Sequence, residues 1–344
     1  MKKSLLALAV LGAFAGAASA QSSVTIYGVV DASVARIDNG GDSVTRLDDG
    51  NNGASRIGFK GVEDLGNGLK AEFVLENGFD VSTGDAKKNN GNVGAFSRLA
   101  YVGLGGGFGT VRLGRQNSQI KTALIDIDPF GTGGMVNAIN YFGGDAGGPI
   151  PERVSNQITY TSVNMSGFQG SLGYVFGETA GDTGANRGYG VQLGYANGPL
   201  NVQFGYNNQN ANAASLTELD TKIAMLGATY DFGALKLHAA YGEKKVDNDN
   251  PATADFRVRS ALVGVTVPFG ASKIRAEYIR NDDKRDGHDN NVAAVSYSYS
   301  LSKRTTLYTT YARVSNDDAS TLGFGTADTG ENASGLAVGV QHNF

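Results

Sequence analysis

From residue 23 onward the chain alternates between apolar and polar positions. Val24, Ile26, Gly28, Val30, Ala32 and Val34 stand opposite Ser23, Thr25, Tyr27, Asp31 and Ser33, broken only by Val29. A period of two over a dozen residues predicts a half-buried strand. Such a length exceeds the five or six residues usual in soluble domains and suits a tilted membrane strand of about 9 to 11 residues. The pattern returns at Leu69, Ala71, Phe73 and Leu75, at Leu193 and Tyr195, at Leu200, Val202, Phe204 and Tyr206, and at Leu235, Leu237, Ala239 and Tyr241. It continues at Ile274, Ala276 and Tyr278 and at Ala293, Val295, Tyr297 and Tyr299, and ends the chain at Leu336, Val338, Val340, His342 and Phe344.

The opposite faces carry charges in mid-strand, among them Lys70, Glu72, Glu76, Arg275 and Glu277. A soluble sandwich with one wet face would account for any single segment. The whole set fits a membrane barrel better, because strands repeatedly end in Tyr or Phe on the apolar face, as an interfacial girdle does. Hydrocarbon offers backbone N–H and C=O groups no partner, so strands cross it only when closed into a barrel.

The connections alternate in length. Short turns fall at residues 64–68, 105–107, 164–167, 197–199, 231–233, 268–270 and 301–304; long polar stretches fall at 37–54, 80–95, 116–152, 178–187, 208–220, 243–255, 281–290 and 314–332. Seven short and eight long connections predict an all-β, 16-stranded antiparallel transmembrane β-barrel over residues 21–344. Long loops then face outward, with the short turns and both chain ends in the periplasm. Sixteen strands leave an aqueous channel. The stretch 116–152, the third external loop, carries Ile120, Leu124, Ile125, Phe130, Met135, Val136, Ile139 and Phe142, which a solvated loop does not need. It is expected to fold inward as a constriction loop, since connections this long are usually functional. The alternative is an oversized external loop.

Composition narrows the rest. The 344 residues include 50 Gly and no Cys, which removes disulfide scaffolds, thiolate metal sites and cysteine nucleophiles. A net charge of −4 without a basic stripe argues against a nucleic-acid partner. Lys2 and Lys3, an apolar run over residues 5–14 and Ala18-Ser19-Ala20 read as a signal peptide over residues 1–20, cut after Ala20 on export. The alternative, a short anchor, is too brief to span a bilayer as a helix. The three histidines, His238, His288 and His342, lie on separate segments, so no catalytic constellation is expected and no enzyme is read. No cofactor is expected. The acidic outer loop at Asp247-Asn248-Asp249-Asn250 resembles a weak divalent-cation site but lacks the Gly and distal Glu of an EF-hand.

The candidate functional residues lie on the inner face. Arg56 and Lys60 stand opposite Ile57 and Phe59, Arg112 opposite Val111 and Leu113, and Arg98 opens the next paired segment. If the stretch 116–152 lies inside, Asp126, Asp128 and Asp145 would face these bases across a narrow waist, selecting solutes by size and charge. For each base taken singly, the alternative is a solvated residue paired with a neighbouring acid. The basic wall points to a mild anion preference despite the negative net charge, much of which sits in outer-loop residues such as Asp282, Asp283, Asp286 and Asp289.

At this point the residues resemble a known family. The run from Ser55 to Ala71, SRIGFKGVEDLGNGLKA, is similar to the second and third strands of Gram-negative general porins of the neisserial and burkholderial type. So are Ala100-Tyr101-Val102-Gly103-Leu104 with Gly109-Thr110-Val111-Arg112-Leu113-Gly114-Arg115, Leu301-Ser302-Lys303-Arg304-Thr305 with Leu307-Tyr308, and the terminal Gln341-His342-Asn343-Phe344. The resemblance implies an outer-membrane homotrimer in contact with lipid and lipopolysaccharide, passing ions and small hydrophilic solutes by diffusion. It marks Arg56 and Arg98 as constriction arginines, Asp128-Pro129-Phe130-Gly131 as the loop tip, and Phe344 as the signal read by outer-membrane assembly machinery. The alternative in function is a substrate-specific porin, or a barrel whose outer loops bind a surface partner as an adhesin does.

Overall fold

The computed structural model describes residues 23–87, 94–131, 133–143, 152–182, 184–213, 217–248 and 255–344. The segment read as a signal peptide, Asp145, Asp249 and part of the stretch 116–152 lie outside them. The strands are β1 (Ser23–Asp38), β2 (Val44–Asp49), β3 (Arg56–Gly66), β4 (Leu69–Gly78), β5 (Leu99–Gly106), β6 (Gly109–Asn117), β7 (Arg153–Thr161) and β8 (Phe168–Val175). They continue as β9 (Gly188–Asn197), β10 (Leu200–Ala213), β11 (Thr217–Asp231), β12 (Lys236–Asn248), β13 (Phe256–Phe269), β14 (Ser272–Asp283), β15 (Asn290–Ser300) and β16 (Thr305–Asn316). A two-residue hairpin, β17 (Leu322–Gly323) and β18 (Gly325–Thr326), precedes the last strand, β19 (Ala333–Asn343).

Apart from that hairpin, the strands form one antiparallel sheet without a free edge. β1 pairs with β19 on one side and with β2 and β3 on the other. β3 lies beside Ser23 to Val29 and β2 beside Ala32 to Ile37, so the two are halves of one broken stave, and the closed sheet has sixteen staves. The break at residues 50–55 wraps around the buried Asp31, whose carboxylate accepts the Asn52 and Gly53 amides at 3.1 and 2.8 Å and the Tyr308 hydroxyl at 2.5 Å.

All seven short turns fall between consecutive strands as expected. In the first, Asn67 (φ 51°) and Gly68 (φ 77°) both take left-handed backbone, the requirement of the two-residue turn whose twist matches a hairpin. Two of the long connections are shorter than the polar pattern indicated. β10 and β11 stay paired up to Ala213 opposite Thr217, and β12 runs to Asn248. Beyond the lipid band both faces of a strand meet water, so apolar alternation disappears while the backbone ladder continues.

The outer face is apolar and bare. Val24, Leu193, Leu226, Val263 and Val338 are each more than half exposed. At the turn end, Phe168 stacks with Tyr195 at 4.3 Å and Tyr230 with Phe232 at 4.6 Å; toward the other end, Tyr174 meets Phe176 at 5.0 Å. Phe168 and Phe176 are separated by roughly 26 Å of strand, which with the usual tilt makes an apolar band of about 20–25 Å between two aromatic girdles.

On the opposite face the connection after β6 is packed down. Ser118 caps the helix Gln119–Ile125 by accepting the Lys121 amide, and Asn137 caps the short helix Ala138–Tyr141 by accepting that of Ile139. Ile120, Leu124, Ile127, Val136 and Ile139 are fully buried and join Ile223, Met225, Leu262 and Ile279 of the wall in the hydrophobic core. The wall can receive them because glycines leave it bare at the closest approaches. A Cβ added at Gly205 would lie 2.9 Å from Ala123 Cβ, at Gly227 2.9 Å from Ile127 Cγ2, at Gly264 2.8 Å from Pro129 Cγ, and at Gly242 2.7 Å from Phe142 Cε1. Polar side chains of the wall complete the seat: Asn207 accepts the Ile120 amide at 2.6 Å, His238 Nδ1 lies 2.6 Å from the Ile127 carbonyl, and Ser260 accepts the Gly143 amide at 2.8 Å.

Gly227→Leu therefore sets an isobutyl group against Ile127, at a packing cost of roughly 1–3 kcal/mol. Single-channel recordings should show raised and noisier conductance, whereas Gly107→Ala, where an added Cβ meets nothing within 4 Å, should behave as the unaltered protein. An unchanged trace for Gly227→Leu would contradict this seat.

Candidate pore constriction

A hollow of about 1190 Å³ opens beside the packed connection. Its nucleus on the wall is Glu76 of β4, which is almost wholly buried. The carboxylate accepts Arg98 Nε at 2.6 Å and the Tyr27 hydroxyl at 2.9 Å, with Arg56 Nε at 3.6 Å. The register explains the grouping: Arg56 of β3 lies directly across from Gly78 of β4, and the missing side chain there makes room for the Arg98 stem. Two guanidinium groups can thus share one carboxylate on the wall.

A second group belongs to the connection itself. Glu152 Oε2 takes Lys121 Nζ at 2.8 Å and Arg153 Nη1 at 2.6 Å, while Oε1 takes Asn137 Nδ2 at 3.2 Å. One carboxylate thereby ties the beginning, the middle and the end of the connection together. Burial alone would raise the Glu152 carboxyl, but the cations Lys121 and Arg153 outweigh it and hold it at about 2. Burial pushes the Lys121 ammonium down to about 8; the neighbouring charge of Arg153 adds to this, and Glu152 only partly restores it. Lys87 with Asp49, at 2.5 Å, and Arg46 with Asp48, at 3.2 Å, complete the charged lining. Among the described residues, six cationic side chains and four carboxylates face this hollow.

The expected residues are thus divided. Arg56 and Arg98 come together on the hollow. Lys60 is exposed, its ammonium 5.2 Å from the Tyr27 ring centroid, and lines neither described hollow. Arg112 pairs with Glu72 at 2.5 Å and lines a separate hollow of about 570 Å³. Asp126, at the end of the first helix, lines that same second hollow, and burial pushes its carboxyl up.

Asp128, only 4% exposed, accepts the Phe130 amide at 2.6 Å and the Ala138 amide at 3.1 Å, so its carboxylate folds the connection. It lies against Arg275 and Glu277 of the wall, away from Arg56 and Arg98 and outside the lining of the larger hollow. The carboxylates paired with Arg56, Arg98, Lys121 and Arg153 are Glu76 and Glu152. Glu76 had a sequence signal, as an inward-parity acid in an alternating strand. Lys121, Glu152 and Arg153 had none, because their grouping depends on where the connection ends. Phe344 exchanges two backbone bonds of 3.1 Å with Gly28. Gly28 has no side chain where the Phe344 ring lies.

A closed antiparallel barrel with an apolar, aromatic-girdled exterior and a charged hollow inside defines a membrane-spanning β-barrel channel. The family model of Gram-negative porins matches residues 7–319. "Outer membrane porin protein 32" of Delftia acidovorans is 37% identical over 362 residues, with 100% of both chains covered. "Major outer membrane protein P.IB" of Neisseria gonorrhoeae is 31% identical, covering 74% of this chain and 76% of its own. The solved "Anion-selective porin from Comamonas acidovorans" superposes with a TM-score of 0.84 at 33% identity, covering 94% of this chain and 100% of that one. OmpT of Vibrio cholerae in its trimer form, at 15% identity and a TM-score of 0.71 over 94% of this chain and 99% of that one, shares the fold. The chain belongs to the Gram-negative porin family: it is a general porin of the bacterial outer membrane, a diffusion channel and not an enzyme.

Lys121 gives the hollow a pH signature. With its ammonium at about 8, it is about nine-tenths charged at pH 7 and about one-tenth charged at pH 9. Raising the pH across that window should move the salt-gradient reversal potential toward cations, and Lys121→Met should abolish the shift. An identical shift in the variant would assign it to another group.

Proposed function

We propose that the connection at residues 116–152 is folded into the channel as a constriction loop, and that this waist passes ions and small hydrophilic solutes with a mild preference for anions. The observation that carries the proposal is the excess, among the described residues, of six cationic side chains over four carboxylates around the larger hollow. Rings of fixed charge select permeating ions in this way. The excess is small because Glu76 and Glu152 are interleaved with the bases, which accounts for a preference that is mild. The relative of known structure titled an anion-selective porin supports the same sign.

In this reading Arg56 and Arg98 set the preference, with Lys121, Arg153, Glu76 and Glu152 around them. Lys60, Arg112 and Asp126 act on solutes outside the waist, and Asp128 acts by shaping the loop. Residues 1–20 direct export, Phe344 is the residue read by outer-membrane assembly machinery, and the bare apolar belt serves a homotrimer embedded in lipid and lipopolysaccharide.

Salt-gradient reversal potentials in planar bilayers test the selectivity. The unaltered channel should favour the anion, and Arg56→Gln with Arg98→Gln, which removes the cationic excess, should bring the reversal potential near zero or reverse its sign. An unmoved potential would take both arginines out of this role. Deleting Phe344 should lower the yield of assembled protein in the outer membrane several-fold, and full assembly without it would remove the signal reading.

A further inference from the structure

The second hollow has a chemistry of its own. It lies between the helix Gln119–Ile125 and the short turns at Asn164 to Gly167 and before Asn201, on the side of the connection toward the short turns. Its volume of about 570 Å³ falls in the range of small-molecule sites, roughly 300–1,000 Å³. Neutral hydrogen-bonding side chains dominate its lining, notably Thr161, Gln169, Ser171, Gln192, Asn201 and Gln203.

Gln192, Gln203, Asn201 and Asp126 form a connected array, with Thr161 and Ser171 as a separate pair beside it. Gln192 Nε2 donates to Gln203 Oε1 at 2.7 Å, Gln203 Nε2 donates to Asn201 Oδ1 at 2.8 Å and to Asp126 Oδ2 at 3.4 Å, and Thr161 donates to Ser171 at 3.4 Å. Gln169 and Gln203 flank Gly194 in the strand register, and a Cβ on that glycine would lie 2.8 Å from Gln203 Oε1. The bare position lets the carboxamides lie flat along the wall. Fixed charge is nearly balanced: Arg112 is held by Glu72 at 2.5 Å, and Asp126, the one acid among the described lining residues, lies within the field of Lys236.

We propose that this hollow is a weak binding station for neutral polyhydroxylated solutes of the sugar class. A carboxamide pair presents a donor beside an acceptor, and a solute hydroxyl, which both donates and accepts, can insert between the two partners without leaving either unsatisfied. Adjacent pairs along the array match vicinal hydroxyls, and the Asp126 carboxylate can accept from two of them. A permeating anion finds no unbalanced cation here, in contrast to the larger hollow. The station rests on the reading of this chain as an open channel, which fails separately if no ion conductance is seen in plain salt.

Sucrose is the probe, and a polyethylene glycol of matched viscosity, whose ether oxygens only accept, is the control. In planar bilayers sucrose should reduce the single-channel current along a saturating curve, half-maximal in the millimolar range, with excess current noise; the polymer should reduce it in proportion to viscosity. Gln192→Leu with Gln203→Leu should raise the half-maximal sucrose concentration at least tenfold relative to the polymer effect in the same channels. That ratio is independent of any change the substitutions make to conductance itself. A sucrose effect that follows viscosity alone in the unaltered protein overturns the proposal, with no variant needed. An unshifted curve in the double variant overturns the assignment to the carboxamide array.

Discussion

A barrel filled with water has no interior of its own, and the burial that orders the inside of this protein is the seating of one connection on a wall that glycines leave bare at its closest approaches. Residues 119–142 supply Ile120, Leu124, Ile127, Val136, Ile139 and Phe142; the wall supplies Gly205, Gly227, Gly242 and Gly264, with alanines and a few aliphatics between them. Apolar burial drives the contact, and the wall's polar groups make it tolerable by satisfying backbone atoms that water no longer reaches. Asn207, His238 and Ser260 each answer one such atom. The position of every charged group on the connection follows. Lys121 stands where it does because Ile120 and Leu124 on the same helix turn are buried to either side of it.

The charge pattern at the larger hollow depends on that seat. Acids and bases are interleaved, since one carboxylate on the wall takes two arginines and one on the connection takes a lysine and an arginine. Groups paired this closely cancel most of one another's field at a distance, and salt screens the remainder within about 8–10 Å. In the proposed reading a permeating ion meets only the small excess of positive charge, at short range, which would discriminate by degree and leave the passage open to both signs. Glu152 carries a structural burden as well, because it binds three separated parts of the connection at once.

Much of the fold was legible in the chain. Period-two alternation, the seven short turns and the aromatic strand ends fixed the barrel, and the apolar residues of the stretch 116–152 marked it as a segment needing a surface to cover them. The inner-face glycines were visible as positions; that they form a track under the connection was not, because it requires the register of four neighbouring strands. Polar strand extensions such as Asn208 to Ala213 were hidden because wet strands lack a sided pattern. At the site, parity placed Arg56 on the inner face, Arg98 was read as opening the next paired segment, and the family resemblance marked both as constriction arginines. That Asp128 also satisfies two amides of its own loop and lies against Arg275, not Arg56 and Arg98, was not legible, since nothing local shows which groups an acid on a long connection will meet.

Because the chain contains no cysteine, the seat can be probed directly with a single introduced pair. Ala123→Cys and Gly205→Cys would place their Cβ atoms 2.9 Å apart before relaxation, slightly inside the usual disulfide separation of about 3.5–4.5 Å. Mild oxidation of intact outer membranes should form the bridge in high yield, protecting both thiols from a membrane-impermeant maleimide. Two thiols that stay unbridged and are labelled at the cell surface would show that the connection lies outside the channel, and the account of the waist would fall with it.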